Sequence, residues 1–297
     1  MAFRAIEETQ FGVSMFPTDY SIQPVELANA VEARGLDSLF FPEHTHIPAS
    51  RKSPFPGGGD LPKQYWHSHD PFVALGAAAA VTERILLGTG ICLIIERDPI
   101  TTAKEIASLD MISNGRSVIG IGAGWNREEM ENHGTPFVDR WKILRERVLA
   151  MKEIWSHEEA EFHGQYVDFD KVWSYPKPIQ AGGPPILMGA SSKYSFKRIA
   201  EYCDGWFPIY QDEARAQTSG AIDYAEGIRL TREAWAEAGR EGEPSFSVFG
   251  VGPDPAAVER LIGYGFDRLI FGLPSADADT VLPMVAKYAE IAHAFNA

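Results

Sequence analysis

Eight short apolar runs, most of them followed by a segment with helical spacing, constrain this chain more than any other feature. They are Phe11 to Phe16, Asp37 to Phe41, Ile85 to Leu93, Ser117 to Ile121, Pro185 to Gly189, Gly205 to Ile209, Phe246 to Val251 and Arg268 to Leu273. Runs of β-branched and aromatic residues with little polar alternation mark strands covered on both faces, and such strands belong to parallel sheets whose crossovers are helices. Strand then helix, repeated eight times, is the outline of an α/β fold of the (β/α)8 or TIM barrel type. The helix boundaries agree. Asp70-Pro71, Asp98-Pro99 and Asp254-Pro255 each put a capping acid before a proline at the first helical position, where its missing N–H leaves no bond unmade. Gly35 and Asn114-Gly115 supply helix stops.

Two spacings exceed what a minimal strand-helix unit needs, and they predict insertions after strand 2 and before strand 5. Ala49 to His69 contains SPFPGGGDLP, too rich in proline and glycine for a packed helix or strand, and is expected to act as a mobile lid. Glu159 to Pro184 alternates as AEFHGQYVDF before a run of prolines, which predicts a small β-hairpin outside the barrel. Neither insertion is long enough to fold alone, so residues 1–297 are expected to form a single domain.

At 45% hydrophobic and 23% charged, the 297 residues describe an ordered chain with a large core. No run approaches the roughly 18 apolar residues of a membrane span. The first turns of sequence carry Arg4, Glu7, Glu8 and Asp19 in place of an apolar leader core, so a cytoplasmic protein is expected. A formal charge of −14 disfavours nucleic acid and anionic membranes as partners. The basic exceptions, Lys193, Lys197 and Arg198 with Arg51, Lys52 and Lys63, read as solvated charge. Cys92 and Cys203 stand far apart in no ligand-type spacing, which predicts small core residues and no disulfide.

Chemistry in a barrel of parallel strands gathers just past their carboxyl ends. There LDSLFFPEHTH places a carboxylate beside an imidazole, so Glu43 and His44 are the leading catalytic candidates, although a cap and a loop histidine would look the same. In IGIGAGWN, glycines lead from a strand into a helix, with Asn126 and Glu129 at capping-box spacing; a structural tight turn is the plain alternative. The third glycine of a dinucleotide fingerprint is missing. PILMGASS repeats the design, with Ser191 and Ser192 before a helix expected from Lys193 to Tyr202, and could hold a phosphate or simply cap the helix. The pairs His44-Thr45-His46 and His67-Ser68-His69 invite a metal, but PILMGA, GWFPI and SFSVFG offer no further ligand at later strand ends, so no metal is expected. Tyr65, Trp66, Trp125, Phe207 and Tyr210 are candidates for an apolar pocket.

Taken together, LDSLFFPEHTHIP, DPFVALGAAAAVTERILLGTGI, RDPITTAKEIASLDMISNGR, GIGAGWNREEM and MGASSKYSFKRIAEYCDGW resemble the luciferase-like monooxygenase superfamily, particularly its coenzyme F420-dependent oxidoreductases. The resemblance covers almost the whole chain. It implies a barrel that binds a deazaflavin or flavin at its strand ends, moves a hydride between coenzyme F420 and a small organic substrate, and forms a homodimer. An FMN-dependent monooxygenase is the nearest alternative; a metal-dependent barrel hydrolase and a non-catalytic flavin-binding protein are the others. By the same resemblance His44 handles the proton, with Glu43 orienting it or stabilising its charged form. Thr89, Gly90 and Ile91 back the ring, with a cis peptide expected between Gly90 and Ile91. Gly124, Trp125 and Asn126 form the turn near the cofactor, Trp125 standing where some relatives carry an acid. Gly189, Ala190 and Ser191 form the phosphate loop.

Overall fold

The computed structural model describes residues 8–211 and 222–296. Its chain begins with β1 (Gln10–Ser14), α1 (Pro24–Ala33), β2 (Ser38–Phe41), α2 (Pro71–Ala79), β3 (Leu86–Cys92), α3 (Pro99–Ile112) and β4 (Ser117–Ile121). Two helices follow, α4 (Arg127–Asn132) and α5 (Arg140–Ser156), then an antiparallel hairpin of β5 (Ala160–His163) and β6 (Asp168–Val172). The remainder is β7 (Ile186–Met188), α6 (Ser195–Tyr202), β8 (Gly205–Trp206), α7 (Tyr224–Glu237), β9 (Ser245–Val251), α8 (Pro255–Tyr264), β10 (Arg268–Gly272) and α9 (Ala278–Phe295). The eight strands other than β5 and β6 close into a parallel barrel in the order β1-β10-β9-β8-β7-β4-β3-β2.

Alternation along the strands builds two apolar layers. On β2, Leu39 and Phe41 join the large cluster between strands and helices, while Phe40 belongs to a second cluster with Val118, Leu187, Phe207 and Ile270. That second cluster fills the barrel itself. The predicted caps are made: Asp70 accepts from the amides of Phe72 and Val73, Asp98 from Thr101 and Asp254 from Ala256. Gly35, Asn114 and Gly115 adopt positive φ at the helix stops. α6 starts two residues later than expected, because Ser192 and Ser195 close a local turn instead, the Ser195 amide donating to the Ser192 carbonyl at 2.8 Å. Ala74, Leu75, Ala78 and Ala79 of α2 are buried on the barrel. Cys92 and Cys203 are buried and unbridged. Among the described residues no helix is long and apolar enough to cross a membrane.

Between β2 and α2 the stretch containing Ala49 to His69 is not without regular structure, as its composition suggested. Lys63–Trp66 form a 3-10 turn, and the chain on either side is anchored. The Ser53 amide donates to Glu128 at 3.2 Å, the Arg127 amide donates to Ser53 Oγ at 3.1 Å, and the His69 amide donates to the Pro17 carbonyl at 2.7 Å. The stretch thus rests on the start of α4, beside the glycine turn.

Candidate active site

Each segment singled out in the sequence emerges at the carboxyl ends of the barrel strands, on one rim. Glu43 and His44 follow β2, Thr89 to Ile91 lie in the last half of β3, Gly124 to Asn126 follow β4, and Gly189 to Ser191 follow β7. Here β3 carries a bulge: Thr89 pairs with Ile119 and Cys92 with Ile121, three steps on one strand against two on the other. The Gly90–Ile91 peptide is cis. The Thr89 hydroxyl donates to the Gly120 carbonyl at 2.8 Å.

His44 is held by a residue distant in sequence. Its Nδ1 lies 2.8 and 3.0 Å from the two carboxylate oxygens of Glu129 on α4, with both side chains almost wholly buried. An imidazole fixed at Nδ1 carries its proton there when neutral, so Nε2 is the nitrogen left to exchange a proton with a ligand. Glu43 does not make this contact, which corrects the expectation that the sequence neighbour orients His44. Its carboxylate accepts from the Leu93 amide at 2.7 Å and from Arg97 Nε at 2.6 Å. Arg97 also bonds Glu105 at 3.0 Å and pairs with Asp70, so three acids hold its charge and its pKa rises further. Glu43 therefore ties the loop after β2 to the residue just past the end of β3. The reason is steric: adjacent residues on an extended chain point to opposite sides, so Glu43 and His44 face different neighbours.

A second acid escaped the sequence reading. Glu96 is buried beside Glu129, and neither of its oxygens has a donor partner among the described residues. Burial first, then the charges of Glu129 and Glu43, push its pKa up to about 9. It is therefore a neutral acid near pH 7, and its own proton can bond Glu129. His133 Nε2 stands 4.0 Å from Glu96 on the other side. Burial and the charge of His46 lower the pKa of His133.

Aromatic rings surround His44. Tyr65 lies 5.1 Å from its ring and Trp125 5.8 Å, and Phe55 joins these two at 5.2 and 6.1 Å. Phe16 touches Tyr65 at 4.8 Å. The other sequence candidates go elsewhere: Phe207 is buried in the barrel against Phe40, Tyr210 packs on the core, and Trp66 stands half exposed. Two glycines make room for one side chain. A Cβ on Gly122 would lie 2.1 Å from Ile91 Cδ1, and one on Gly189 2.8 Å from its Cγ2, so the two glycine motifs together seat Ile91. Gly124 has φ +62.

The Asn126 carboxamide caps α4 through its oxygen, while its buried Nδ2 lacks a partner among the described residues. The Ala190 carbonyl accepts from Trp206 Nε1 at 2.9 Å. Ser191 is partly exposed at the entrance to α6. Arg198 of α6 sits over Trp141 at 4.2 Å, and Arg127 and Arg140 sit over Phe137 at 4.5 and 3.9 Å. Burial and the mutual repulsion of these three guanidinium groups lower the pKa of Arg140. Among the described residues Glu131, 3.9 Å from Arg127, is the one acid paired with any of them, and Arg140 Nε is buried without an acceptor. The two HxH pairs diverge: His46 turns to Thr45 and Asn132, and His67 to Asp19. Among the described residues no group of three or more His, Cys, Asp or Glu is placed to hold a metal.

A profile of the luciferase-like monooxygenase family matches residues 18–292. The chain belongs to that family. As a family member it is an oxidoreductase. It is similar to an uncharacterized protein of Mycobacterium tuberculosis, 39% identical over 282 residues, which cover 94% of this chain and 97% of the relative. It is also 26% identical to an F420-dependent glucose-6-phosphate dehydrogenase of Kineococcus radiotolerans, over 86% of this chain and 88% of that one. The family fold is seen again in the monooxygenase RslO1 of Streptomyces bottropensis, with a TM-score of 0.78, 21% identity and coverage of 97% and 100%.

Proposed function

We propose that this protein is a coenzyme F420-dependent oxidoreductase acting on a small organic substrate, with His44 giving or taking the proton that accompanies hydride transfer. The observation that carries the reading is the buried His44–Glu129 pair inside an aromatic wall at the barrel rim. When bound, the deazaflavin supplies the carbon that gives or receives the hydride. The residues fit such a group. Ile91, seated on Gly122 and Gly189, offers an apolar surface for a ring, with Thr89 and Gly90 holding the bulge that presents it. Gly124, Trp125 and Asn126 flank it, and the unpartnered Nδ2 of Asn126 is a donor for a ring substituent. Gly189, Ala190 and Ser191, with Arg127, Arg140 and Arg198, suit an anionic tail: three cations with a single paired acid among the described residues are stabilised by a phosphate.

In this reading His44 and Glu129 handle the proton, Glu43 positions the loop that carries His44, and Tyr65, Phe55 and Trp125 exclude water from the reacting centre. The remaining assignments are a single domain over residues 1–297, a homodimer and a cytoplasmic location. The test is titration of cofactor-free protein with coenzyme F420 and with FMN under identical conditions, read by cofactor fluorescence. Saturable F420 binding with weaker FMN binding is expected. Tighter FMN binding would overturn the reading in favour of an FMN-dependent monooxygenase.

A further inference from the structure

We propose that Glu129, Glu96 and His133 form a proton relay connecting buried His44 with solvent. The inference rests on His44 being the proton-exchanging residue of the proposed function. A proton on His44 Nδ1 has little direct access to water, because the His44 side chain is 7% exposed and that of Glu129 1%. Beyond Glu129 the polar groups continue in one direction. Glu96 lies against Glu129 with both oxygens buried, His133 Nε2 stands 4.0 Å from Glu96 Oε2, and the His133 side chain is 29% exposed. A slight side-chain adjustment closes that gap to a hydrogen bond.

The outer bonds fix which nitrogen of His133 is the acceptor. Asn132 Nδ2 donates to His46 Nε2 at 2.8 Å, so the His46 proton sits on Nδ1 and goes to Thr45 Oγ1 at 2.9 Å. The Thr45 hydroxyl then donates to His133 Nε2 at 2.7 Å, so that nitrogen is unprotonated, and its single lone pair takes the Glu96 proton when the ring turns from Thr45 toward Glu96. The groups facing Glu96 are Glu129, Glu43, His133, Arg97 and Arg147. Neither arginine pairs with it: Arg97 is held by Glu43, Asp70 and Glu105, and Arg147 donates to the Ile94 carbonyl. Burial and the two facing carboxylates outweigh Arg147, which no acid pairs among the described residues, and Glu96 keeps its proton. Its raised pKa agrees.

The transfer balances. As Nε2 of His44 takes a proton from a reacting group, Nδ1 passes its own to Glu129, Glu129 passes one to Glu96 as Glu96 gives its own to His133, and His133 releases one to solvent. One proton enters, one leaves, and Glu129 and Glu96 return to their starting charges. The reverse sequence delivers a proton. Glu96 and His133 touch no reacting atom and act through His44.

The experiment follows the His44 Nδ1 proton by NMR in cofactor-free, ¹⁵N-histidine-labelled protein, measuring its exchange with water in wild type, Glu96→Gln and His133→Ala. Both variants are expected to slow exchange by about 10²-fold or more, the scale of losing a positioned acid or base. Added imidazole should restore the His133→Ala rate and leave Glu96→Gln slow. Wild-type exchange in both variants overturns the relay, and so does slowing in His133→Ala that imidazole does not relieve. Slowing confined to Glu96→Gln overturns the exit through His133. Should Glu96→Gln fail to fold, His133→Ala and its rescue decide alone. Because no cofactor is present, failure here is separate from failure of the F420 titration.

Discussion

At the residue scale, the buried His44–Glu129 bond lets the proposed chemistry be tested apart from binding. If His44 exchanges the proton, His44→Ala removes that group but none of the proposed tail contacts, so single-turnover hydride transfer should fall by about 10² to 10⁴ while cofactor affinity stays within a few fold. Ser191→Ala should do the reverse, and a His44→Ala protein that transfers hydride at the wild-type rate near neutral pH removes the assignment. Glu96 predicts a pH dependence of stability. Its pKa rises from 4.5 to about 9 on folding, so between these values the native state holds a proton that the unfolded state has lost. That contribution is complete below the lower value and disappears as pH rises through the upper one. Asp37, Glu105 and Asp267, also raised by burial, act in the same sense. Urea unfolding at stepped pH should show stability falling toward alkaline pH in wild type and a flatter profile in Glu96→Gln; parallel profiles would contradict it. The position of His44 at the rim was legible because it lies just past a buried strand. Glu129 was not: an acid three residues after Asn126 already had a meaning as a capping box, and nothing local shows a partner 85 positions away. Glu96 was hidden likewise, in a 3-10 turn that only burial makes unusual.

At the scale of elements, the sequence was most readable where backbone demands are local. Aspartate-proline caps and glycine stops satisfy specific N–H groups or positive φ, and these sit where the pattern put them. The barrel strands were visible as apolar runs, although β7 and β8 are shorter than those runs because the chain leaves the ladder early to form the rim. The long connection after β2 was read as loop from its composition, yet it supplies Phe55 and Tyr65 to the wall and is fastened through Ser53 to α4. An element that lines the site and is held by a few polar contacts should open without unfolding the barrel. Hydrogen exchange over residues 49–69 should therefore slow when cofactor is added, and equal protection with and without it would count against a lid.

At the scale of the whole molecule, the electrostatics oppose one another: a chain of net charge −14 gathers Arg127, Arg140 and Arg198 at one place on its rim. Long-range repulsion and local attraction both weaken with salt, but a desolvated contact is screened less than a distant field. If the arginines hold the cofactor tail, Arg140→Gln should weaken F420 binding several fold and reduce its salt dependence; unchanged titration curves would place the tail elsewhere. Composition announced the net charge and not the cluster, since three arginines from three helices meet only in space. The closure of the barrel has a consequence of another kind. β1 hydrogen-bonds to β10, and Arg268 reaches Gln10 at 2.6 Å across 258 positions of chain. That seam joins the first and last barrel strands, so its loop entropy is met late in folding and the rate is set by topology more than by local helix formation. Until it forms, two strand edges lie open to any neighbouring chain. Refolding from denaturant should be slow, and its yield should fall as protein concentration rises.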